Sequence, residues 1–413
     1  MAGIYRTRPT ADSIAPALDV PAVALGDDIF MSPGVSNSYA IATDAGRVIV
    51  NAGLIFEGPL RRSAYAAVPG PTHTIITTQG HPDHWGGIAY LREPGTDTIM
   101  HSNYRLWRDD TQRLLGFRAR NTAFGFGNIS KILVERIQKM DFTGIDMSFP
   151  EPTTTFDDRL ELRIGGREFV LIATPGGETT DALVVWMPAE RTLFTGNLFG
   201  PLFGVVPNLS TIRGDRYRDP LRYVEALDTV LDLGAERLIT GHFDPIDGTD
   251  VIEEEVRAMR DAMQWVHDRT FEGMEAGKDV HTLMSEIRLP EEFDVGQWYG
   301  KTSWNVRSIW EMYAGWFHHQ STTELYDVPI RAVATDLVHA KGPDELVEAA
   351  RAHLRAGRAV HALHLTETVL ADGDSSSARE IAIQAHELLL ADTDNFWEKA
   401  WLSTTIEKLR TQQ

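Results

Sequence analysis

The stretch TTQGHPDHWGG, residues 77–87, places two imidazoles and a carboxylate within four positions, at His81, Asp83 and His84. Because these residues follow an apolar run, a tight loop after a strand could point all three side chains toward one place. Aspartate and histidine supply the oxygen and imidazole ligands that zinc and iron accept. The spacing therefore predicts a metal site, with a hydrogen-bonded turn as the alternative.

Two later stretches carry further residues of the ligand type at the ends of apolar runs. ATPGGETTD contains Glu178 and Asp181, and ITGHFDP contains His242. Between them, LFTGN ends in Asn197. Loops that a rigid sheet supports commonly carry function, so we expect these residues to lie near the first cluster.

The elements that position these residues are short β-rich runs between about residues 28 and 245. They alternate with turn signals and helical segments, and nearly all end in Gly, Asn or Pro. The clearest runs are GRVIVNAG, THTIITTQG, REFVLIATPGG, ALVVWMP, TLFTGN and ERLITGH. This alternation predicts a layered α/β domain.

Amphipathic helical spacing replaces the β signal from VIEEEVRAMRDAMQWVHDRTFEGMEAG onward. Helices are predicted at 304–319, 342–357, 359–372, 376–391 and 395–410. We therefore expect a catalytic domain over residues 1–275, followed by an all-α domain of helical hairpins over 276–413.

Composition excludes several classes of function. The 413-residue chain carries a formal net charge of −20, from 59 acidic and 39 basic residues, so its average field repels nucleic acid and anionic membranes. It contains no cysteine, which excludes disulfides and thiolate ligands. No apolar run approaches the roughly 20 residues that span a bilayer. We predict a cytoplasmic protein with neither a nucleic-acid nor a membrane partner.

The order HxD-H, PGG-E, TGN and GH resembles that of the metallo-β-lactamase superfamily, in spacing as well as order. Within it, three segments resemble the alkylsulfatase branch, zinc enzymes that cleave alkyl sulfate esters. TPGGETTD is similar to TPGTEAPAE, PNLSTIRGDRYRDPLRY to HNLxTxRGAxVRDxLxW, and GQWYGKTSWNVRSIWEMYAGWF to YYGxxxHNVRAVYxxYLGWF. The resemblance implies an αββα sandwich with metals at the strand edge, followed by a helical dimerisation domain and hence a homodimer.

Carried over by position, the resemblance also implies the site residues. One metal site would comprise Gln79, His81 and Glu178, and the other Asp83, His84 and His242, with Asn197 able to contact metal. Asp83 would also orient the attacking water. Asn208 and Arg213 match residues that hold the sulfate group, and a guanidinium fork suits the oxygens of that group.

Three substitutions depart from the family pattern. Gln79 replaces a histidine, Asn197 an acidic residue and Asn51 a supporting aspartate. An amide oxygen is a weaker zinc donor than imidazole, so the first site should be weaker, and we expect one tightly bound ion. Zinc is the first expectation, with iron or manganese as alternatives. Because the chain stops after NFWEKAWLSTTIEKLR, the C-terminal sterol-carrier-like module of long alkylsulfatases is not expected.

The leading functional hypothesis is hydrolysis of an ester, first of all an alkyl sulfate monoester, by metal-activated water. The partner would be a small anionic or ester substrate. An alternative keeps only Asp83, His84 and His242, a ligand set that also suits a mononuclear iron enzyme acting on a different substrate. A further alternative is a non-catalytic binding protein.

Overall fold

The chain divides into two compact units, Met1–Met312 and Tyr313–Gln413. The structure is a computed structural model, and it describes residues 3–145 and 148–411. None of the helices in these ranges is long and apolar enough to cross a membrane. The domain boundary expected between residues 275 and 276 stays a prediction.

Two β-sheets form the centre of the first unit. In the described residues, one sheet has seven strands in the spatial order β1 to β7, and the other has six in the order β13-β12-β11-β10-β9-β8. The strands of the first sheet are Val23–Gly26, Ile29–Ser32, Ser38–Thr43, Gly46–Val50, Thr72–Ile76, Asp97–His101 and Thr154–Phe156 (β1–β7). Those of the second are Arg159–Ile164, Arg167–Ala173, Leu183–Met187, Thr192–Gly196, Arg237–Thr240 and Ile246–Asp247 (β8–β13).

Strand directions bring the predicted site loops to one edge. Strand β10 is antiparallel to both β9 and β11, and β12 is parallel to β11. The carboxyl ends of β9, β11 and β12 therefore share an edge of the second sheet. The loop after β5, in the first sheet, joins the same edge, because Leu183 N donates to Thr78 O at 2.9 Å.

Helices cover the outer faces of the sheets. The α-helices of this region are Gly58–Ala64, Pro82–Trp85, Ile88–Leu91, Tyr104–Arg113, Leu115–Thr122, Gly127–Ile137, Pro220–Leu233, Thr249–Glu275, Val280–Glu286 and Thr302–Ala314 (α1–α10). Short 3-10 helices lie at Ile4–Arg6, Ala11–Ser13, Ile55–Glu57 and Glu291–Phe293. Helix α7 packs on α8, and α8 contacts β12 and β13.

Alternating side chains of each strand build two apolar layers. Val48, Val50 and Leu171 belong to a core formed by residues of both sheets, so the sheets pack face to face. Ile49 and Ile75 point the other way, into a second core that includes residues of α3 and α4. The arrangement is the expected αββα sandwich.

The second unit is helical. Its α-helices are Ala334–Lys341, Pro343–Arg355, Ala359–Asp372, Ser376–Ala391 and Phe396–Thr411 (α11–α15), with 3-10 helices at Thr322–Leu325 and Ile330–Val333. Consecutive helices from α12 to α15 pack on one another, and fully buried alanines such as Ala350, Ala362 and Ala378 allow their close approach. The helices predicted from residue 342 onward are confirmed within two residues at each end.

The prediction of a helix over 304–319 was wrong at its C-terminal end. Helix α10 ends at Ala314, because Gly315 takes a left-handed φ of 77°, a conformation that stops a helix and favours glycine. Residues 315–319 are therefore not helical. Helix α11 was not predicted.

Candidate metal centre and anion site

The loop after β5 is shaped by a proline and a glycine. Pro82 occupies the first turn of α2, where its missing N–H costs nothing, and His81 precedes the helix in an extended conformation. A Cβ on Gly80 would lie 2.8 Å from Asp181 Oδ2, so only glycine fits this close approach. The loop thus delivers His81, Asp83 and His84 together.

His84 is fully buried and is oriented from behind. Its Nδ1 lies 3.5 Å from Thr78 Oγ1. Thr78 in turn donates from its backbone N and its hydroxyl to Asn51 Oδ1, at 2.9 and 3.1 Å. The free nitrogen, His84 Nε2, makes no hydrogen bond in the described structure and lies 3.4 Å from Asp83 Oδ2. Asn51 therefore supports the site in the position where the family pattern has an aspartate.

His242 and Asn197 are brought together by the parallel pair β11 and β12. Gly241 N donates to Gly196 O at 2.7 Å, which aligns the two strand ends. A methyl group on Gly241 would overlap the Asn197 amide oxygen, so glycine is required there as well. Both side chains are buried, and neither His242 Nδ1 nor Asn197 Oδ1 has a hydrogen-bond partner in the described residues.

Burial sets the protonation states of this group. It lowers the pKa of His84 to about 4 and also lowers the pKa of His242. Burial raises the pKa of Asp83, but electrostatic interactions with His84, His81 and His242 outweigh this effect and hold that pKa below its ordinary value. Neutral imidazoles beside an ionised carboxylate are the forms that bind a metal ion.

These residues fit one cation. Two imidazole nitrogens and one amide oxygen, on His84, His242 and Asn197, are buried without partners, and such atoms are costly unless something satisfies them. In residues 3–145 and 148–411, no three His, Cys, Asp or Glu side chains form a metal-binding group by themselves. Asp83 stands beside His84 as the negative charge of the set.

The residues of the other expected metal site also meet, but they are engaged with protein groups. Gln79 Nε2 lies 2.6 Å from His81 Nδ1, and Glu178 Oε1 lies 3.8 Å from the same nitrogen. The Glu178 carboxylate accepts a hydrogen bond from Arg218 Nη2 at 2.8 Å, within a buried ion pair. This position therefore fits a cation less well than the one beside His84.

Sequence reasoning missed three charged residues around His81. Asp215 Oδ2 lies 3.4 Å from His81 Nε2, and its other oxygen accepts from Arg118 Nη2 at 3.3 Å. Burial raises the pKa of Asp215, but the hydrogen bond to His81 and the neighbouring arginines hold it well below its usual range. The third residue is Arg218, the partner of Glu178. The sequence contained one signal for Asp215, since this aspartate stands where the similar alkylsulfatase segment has alanine.

Asn208 and Arg213 form the candidate anion site. Asn208 is 2% exposed, and neither its amide oxygen nor its amide nitrogen has a partner in the described structure. Arg213 Nε is also buried and unpaired there. The loop is fixed by Arg218 Nη1, which donates to Asn208 O at 2.6 Å, and by Asn305, whose Oδ1 accepts from Leu209 N at 3.2 Å. Arg218 thus joins this loop to Glu178.

Comparisons with known proteins agree with this geometry. Residues 31–242 match the family described as Metallo-beta-lactamase superfamily, and residues 280–412 match the one described as Alkyl sulfatase dimerisation. A linear primary-alkylsulfatase from Pseudomonas is 26% identical over 364 residues, covering 82% of this chain and 67% of that protein. An alkyl/aryl-sulfatase from Saccharomyces cerevisiae is 26% identical over 361 residues, covering 82% of this chain and 55% of that protein.

A comparison with solved structures agrees on the fold. The solved structure of a stereoselective inverting secondary alkylsulfatase from Pseudomonas superposes with a TM-score of 0.82 at 20% identity, covering 97% of this chain and 69% of that one. The family matches and the relatives confirm the resemblance to alkylsulfatases, and the superposition confirms the expected fold. With residues 31–242 matched, the chain belongs to the metallo-β-lactamase superfamily.

Proposed function

We propose that the protein is a metal-dependent hydrolase that cleaves a sulfate monoester, most readily an alkyl sulfate. The observation that carries the proposal is the buried, unpaired set of donors on Asn208 and Arg213. Buried polar atoms normally have partners, so unpaired donors of this kind suit a bound anion. Arg218 ties their loop to Glu178, and this contact supports an anion site next to the loops that carry the proposed metal donors.

The residues of the site would have separate roles in this reaction. Arg213 and Asn208 would donate to the oxygens of the sulfate and stabilise the charge that develops during cleavage. Asp83 would accept a hydrogen bond from the attacking water and orient it. Asp83, His84 and His242, with Asn197 beside them, would hold the cation, which when bound would supply a Lewis acid that lowers the pKa of water.

The metal we propose is zinc, with iron or manganese as the alternatives. Asp83, His84 and His242 are two histidines and one carboxylate, a set that also binds iron(II). Elemental analysis of the purified protein distinguishes these readings, because zinc supports hydrolysis and iron an enzyme of different chemistry. A protein without a stoichiometric transition metal would instead support the non-catalytic alternative.

A substrate screen tests the proposed reaction. The metal-loaded protein is assayed against short and branched alkyl esters of sulfate, phosphate and carboxylic acids that share the same alcohol. We expect turnover of the sulfate monoesters above that of the other two series. Preferred cleavage of phosphate or carboxylate esters, or no cleavage by fully loaded protein, would overturn the proposal.

Metal titration should show one tight binding event, followed by a second that is much weaker or missing. The tight event is expected beside His84, while Gln79 and Glu178 are held by other protein groups. Calorimetric titration of metal-free protein, with elemental analysis after dialysis, measures both events. Two equally tight cations would contradict this expectation.

Substitutions at the weaker position provide the control. Gln79→Ala should leave the tight event intact. Gln79→His should strengthen the second event only partly, since Asn197 supplies no negative charge between two cations, whereas Gln79→His with Asn197→Asp should approach two equivalents.

A homodimer is expected in solution, with its interface in residues 276–413. The support is the match of residues 280–412 to an alkyl sulfatase dimerisation family. Two-fold dimers are also the commonest assembly of soluble proteins. Light scattering at micromolar concentration should give twice the mass of 46.1 kDa, and a monomeric mass would refute the expectation. The cytoplasmic location stays a prediction.

A further inference from the structure

A cavity of about 210 Å³ lies at the edge of the first sheet opposite the metal loops. Its lining includes Arg47 of β4 and Thr72 of β5, which stand at or next to the amino ends of these strands. The metal loop follows the carboxyl end of β5. At roughly 3.3 Å per residue, the length of that strand separates the two edges by about 13 Å or more. The cavity is therefore distinct from the metal centre, and it shares no lining residue with the candidate anion site.

The lining of this cavity carries an excess of positive charge. Three arginines, Arg47, Arg62 and Arg92, stand against one carboxylate, that of Glu93. The chain as a whole has a formal net charge of −20, so its average field repels anions, and an anion needs a local basic patch in order to bind. The concentration of arginines here favours a small anion as the occupant.

Arg47 is held rigidly, with one donor left over. Its Nη1 donates to Tyr65 O at 2.9 Å, and its Nη2 donates to Glu93 Oε1 at 2.8 Å. The same oxygen of Glu93 accepts from the backbone N and the hydroxyl of Thr72, at 3.1 and 3.2 Å, which fixes the carboxylate to the start of β5. The remaining donor, Arg47 Nε, is buried and has no partner in the described residues.

Tyr90, on α3, brings a second donor of this kind to the lining. The residue is 6% exposed, and its hydroxyl is buried without a partner in the described part of the chain. Burial raises the pKa of this hydroxyl and the charge of Arg62 opposes the rise, while Asp141, outside the lining, adds to it. Two buried donors without partners on one cavity are costly unless a ligand satisfies them.

Two further guanidinium groups stand at the mouth of the cavity. Arg62 lies on α1 and Arg92 directly follows α3, and both are exposed. Within the described residues, neither of them forms a hydrogen bond or an ion pair. Guanidinium groups that no carboxylate neutralises are suited to pair with the oxygens of an oxyanion. The mouth thus supplies charge, and the interior supplies directed donors.

Helix α1, which carries one of the mouth arginines, is fixed to the rest of the unit. Glu57, fully buried, accepts from Ala17 N at 2.8 Å and from Val35 N at 2.9 Å through the same oxygen. Its other oxygen pairs with Arg61 Nη2 at 2.9 Å. Ala17 belongs to the N-terminal segment, residues 9–20, which is thereby tied to α1. A site on rigid elements of this kind holds its geometry before the ligand arrives.

We propose that this cavity binds a small tetrahedral oxyanion, inorganic sulfate or phosphate. Arg62 and Arg92 pair with the ion at the mouth, while Arg47 Nε and the Tyr90 hydroxyl donate to its inner oxygens. The volume of about 210 Å³ is below the range of about 300 to 1,000 Å³ for sites of larger organic ligands, and it suits an inorganic ion. This site goes beyond the proposed function and does not depend on it.

Equilibrium dialysis of the metal-loaded full chain tests the site. Labelled sulfate and labelled phosphate are used separately, at fixed ionic strength in chloride and at a pH where both ions are doubly charged. Because an anion can also bind at the candidate site near the metal, the decisive protein is Arg213→Ala, which should still bind one equivalent of sulfate or of phosphate. The ion that binds more tightly is the one the cavity takes.

Two changes at the cavity should weaken this binding. Arg62→Gln combined with Arg92→Gln removes the charge at the mouth and should raise the Kd at least tenfold. Tyr90→Phe removes one inner donor and should raise the Kd about fivefold. The phenylalanine variant should unfold at the same temperature or higher in the absence of the ion, since the hydroxyl has no protein partner in the described structure.

A matched pair of arginines controls for net charge. Arg159 and Arg163 are exposed on β8 and lie outside the lining, so Arg159→Gln combined with Arg163→Gln removes the same two charges elsewhere. This variant should bind the ion as the unaltered protein does. Circular dichroism and metal content verify that each variant is folded.

Protection from an arginine-directed dicarbonyl reagent locates the bound ion. At an ion concentration ten times the Kd, modification of Arg62 and Arg92 should slow about tenfold, because only the free site reacts. Modification of Arg159 and Arg163 should proceed at an unchanged rate. Mass spectrometry of the digested protein measures all four positions in one sample.

The assignment is overturned if Arg213→Ala binds neither ion, or if the β8 pair weakens binding as much as the pair at the mouth. Unchanged modification of Arg62 and Arg92 in the presence of bound ion would also overturn it. Hydrolysis of sulfate esters is measured separately, and neither its presence nor its absence alters these outcomes.

Discussion

His84→Ala and Asp83→Ala should each remove the bound metal and lower hydrolysis below detection. His84 Nε2 is fully buried without a hydrogen bond in the described structure, and Asp83 is the negative charge beside it. Losing either leaves the cation with too few donors, and the tight binding event should disappear along with activity. Elemental analysis and an ester hydrolysis assay on the same preparations measure both.

His281→Ala is the control for this pair, since that histidine is exposed on α9 and remote in sequence from the metal loops. It should retain one equivalent of metal and full activity. Retention of tightly bound metal in His84→Ala would show that the cation is held elsewhere. The assignment of the metal site to this edge of the sheet would then be wrong.

Arg213→Ala should lower kcat/KM for an alkyl sulfate by about 10²–10³, with metal content unchanged. Arg213 Nε is buried and unpaired in the described structure, and this side chain has no role among the proposed metal donors. Lysine at this position should restore part of the rate, because it keeps the charge but lacks the planar fork that pairs with two oxygens. Steady-state kinetics across the three proteins give the comparison.

Arg216→Ala is the matched arginine control. Arg216 is exposed and lies three residues further along the chain. It forms an ion pair with Asp110 and is not part of the proposed anion site. We expect its kinetics to be those of the unaltered protein within a factor of two to three, about the scale of a surface ion pair. Equal activity in Arg213→Ala would show that the anion is held by other groups.

Many of the strands and helices could be predicted because they depend on local sequence patterns. The run THTIITTQG has the β-branched residues and the closing glycine of a strand end, and β5 covers Thr72–Ile76 as expected. Helices α13 and α14 have the predicted bounds. Helix α10 was overextended because the aromatic spacing continues past Gly315, and only backbone conformation shows the stop.

The charge network around His81 could not be read from local patterns. Asp215 and His81 are 134 residues apart, and their contact depends on how the loop after β11 returns to the edge. The pairing of Glu178 with Arg218 is equally non-local, and it places a predicted ligand in a buried ion pair. The fixed course of the N-terminal segment could not be predicted either, because residues 9–20 have no periodicity that predicts an element.

The Glu57 carboxylate has a consequence for how this protein can vary. Besides the bonds to Ala17 and Val35, it accepts from Leu54 N at 3.0 Å. Two residues earlier, Ala52 N donates to His84 O at 2.7 Å. One buried side chain therefore connects the N-terminal segment to the backbone that positions His84, a proposed metal donor. The position of the N-terminal segment and the proposed metal affinity are then coupled traits: a change that loosens this anchor alters both at once, and selection on either acts on the other.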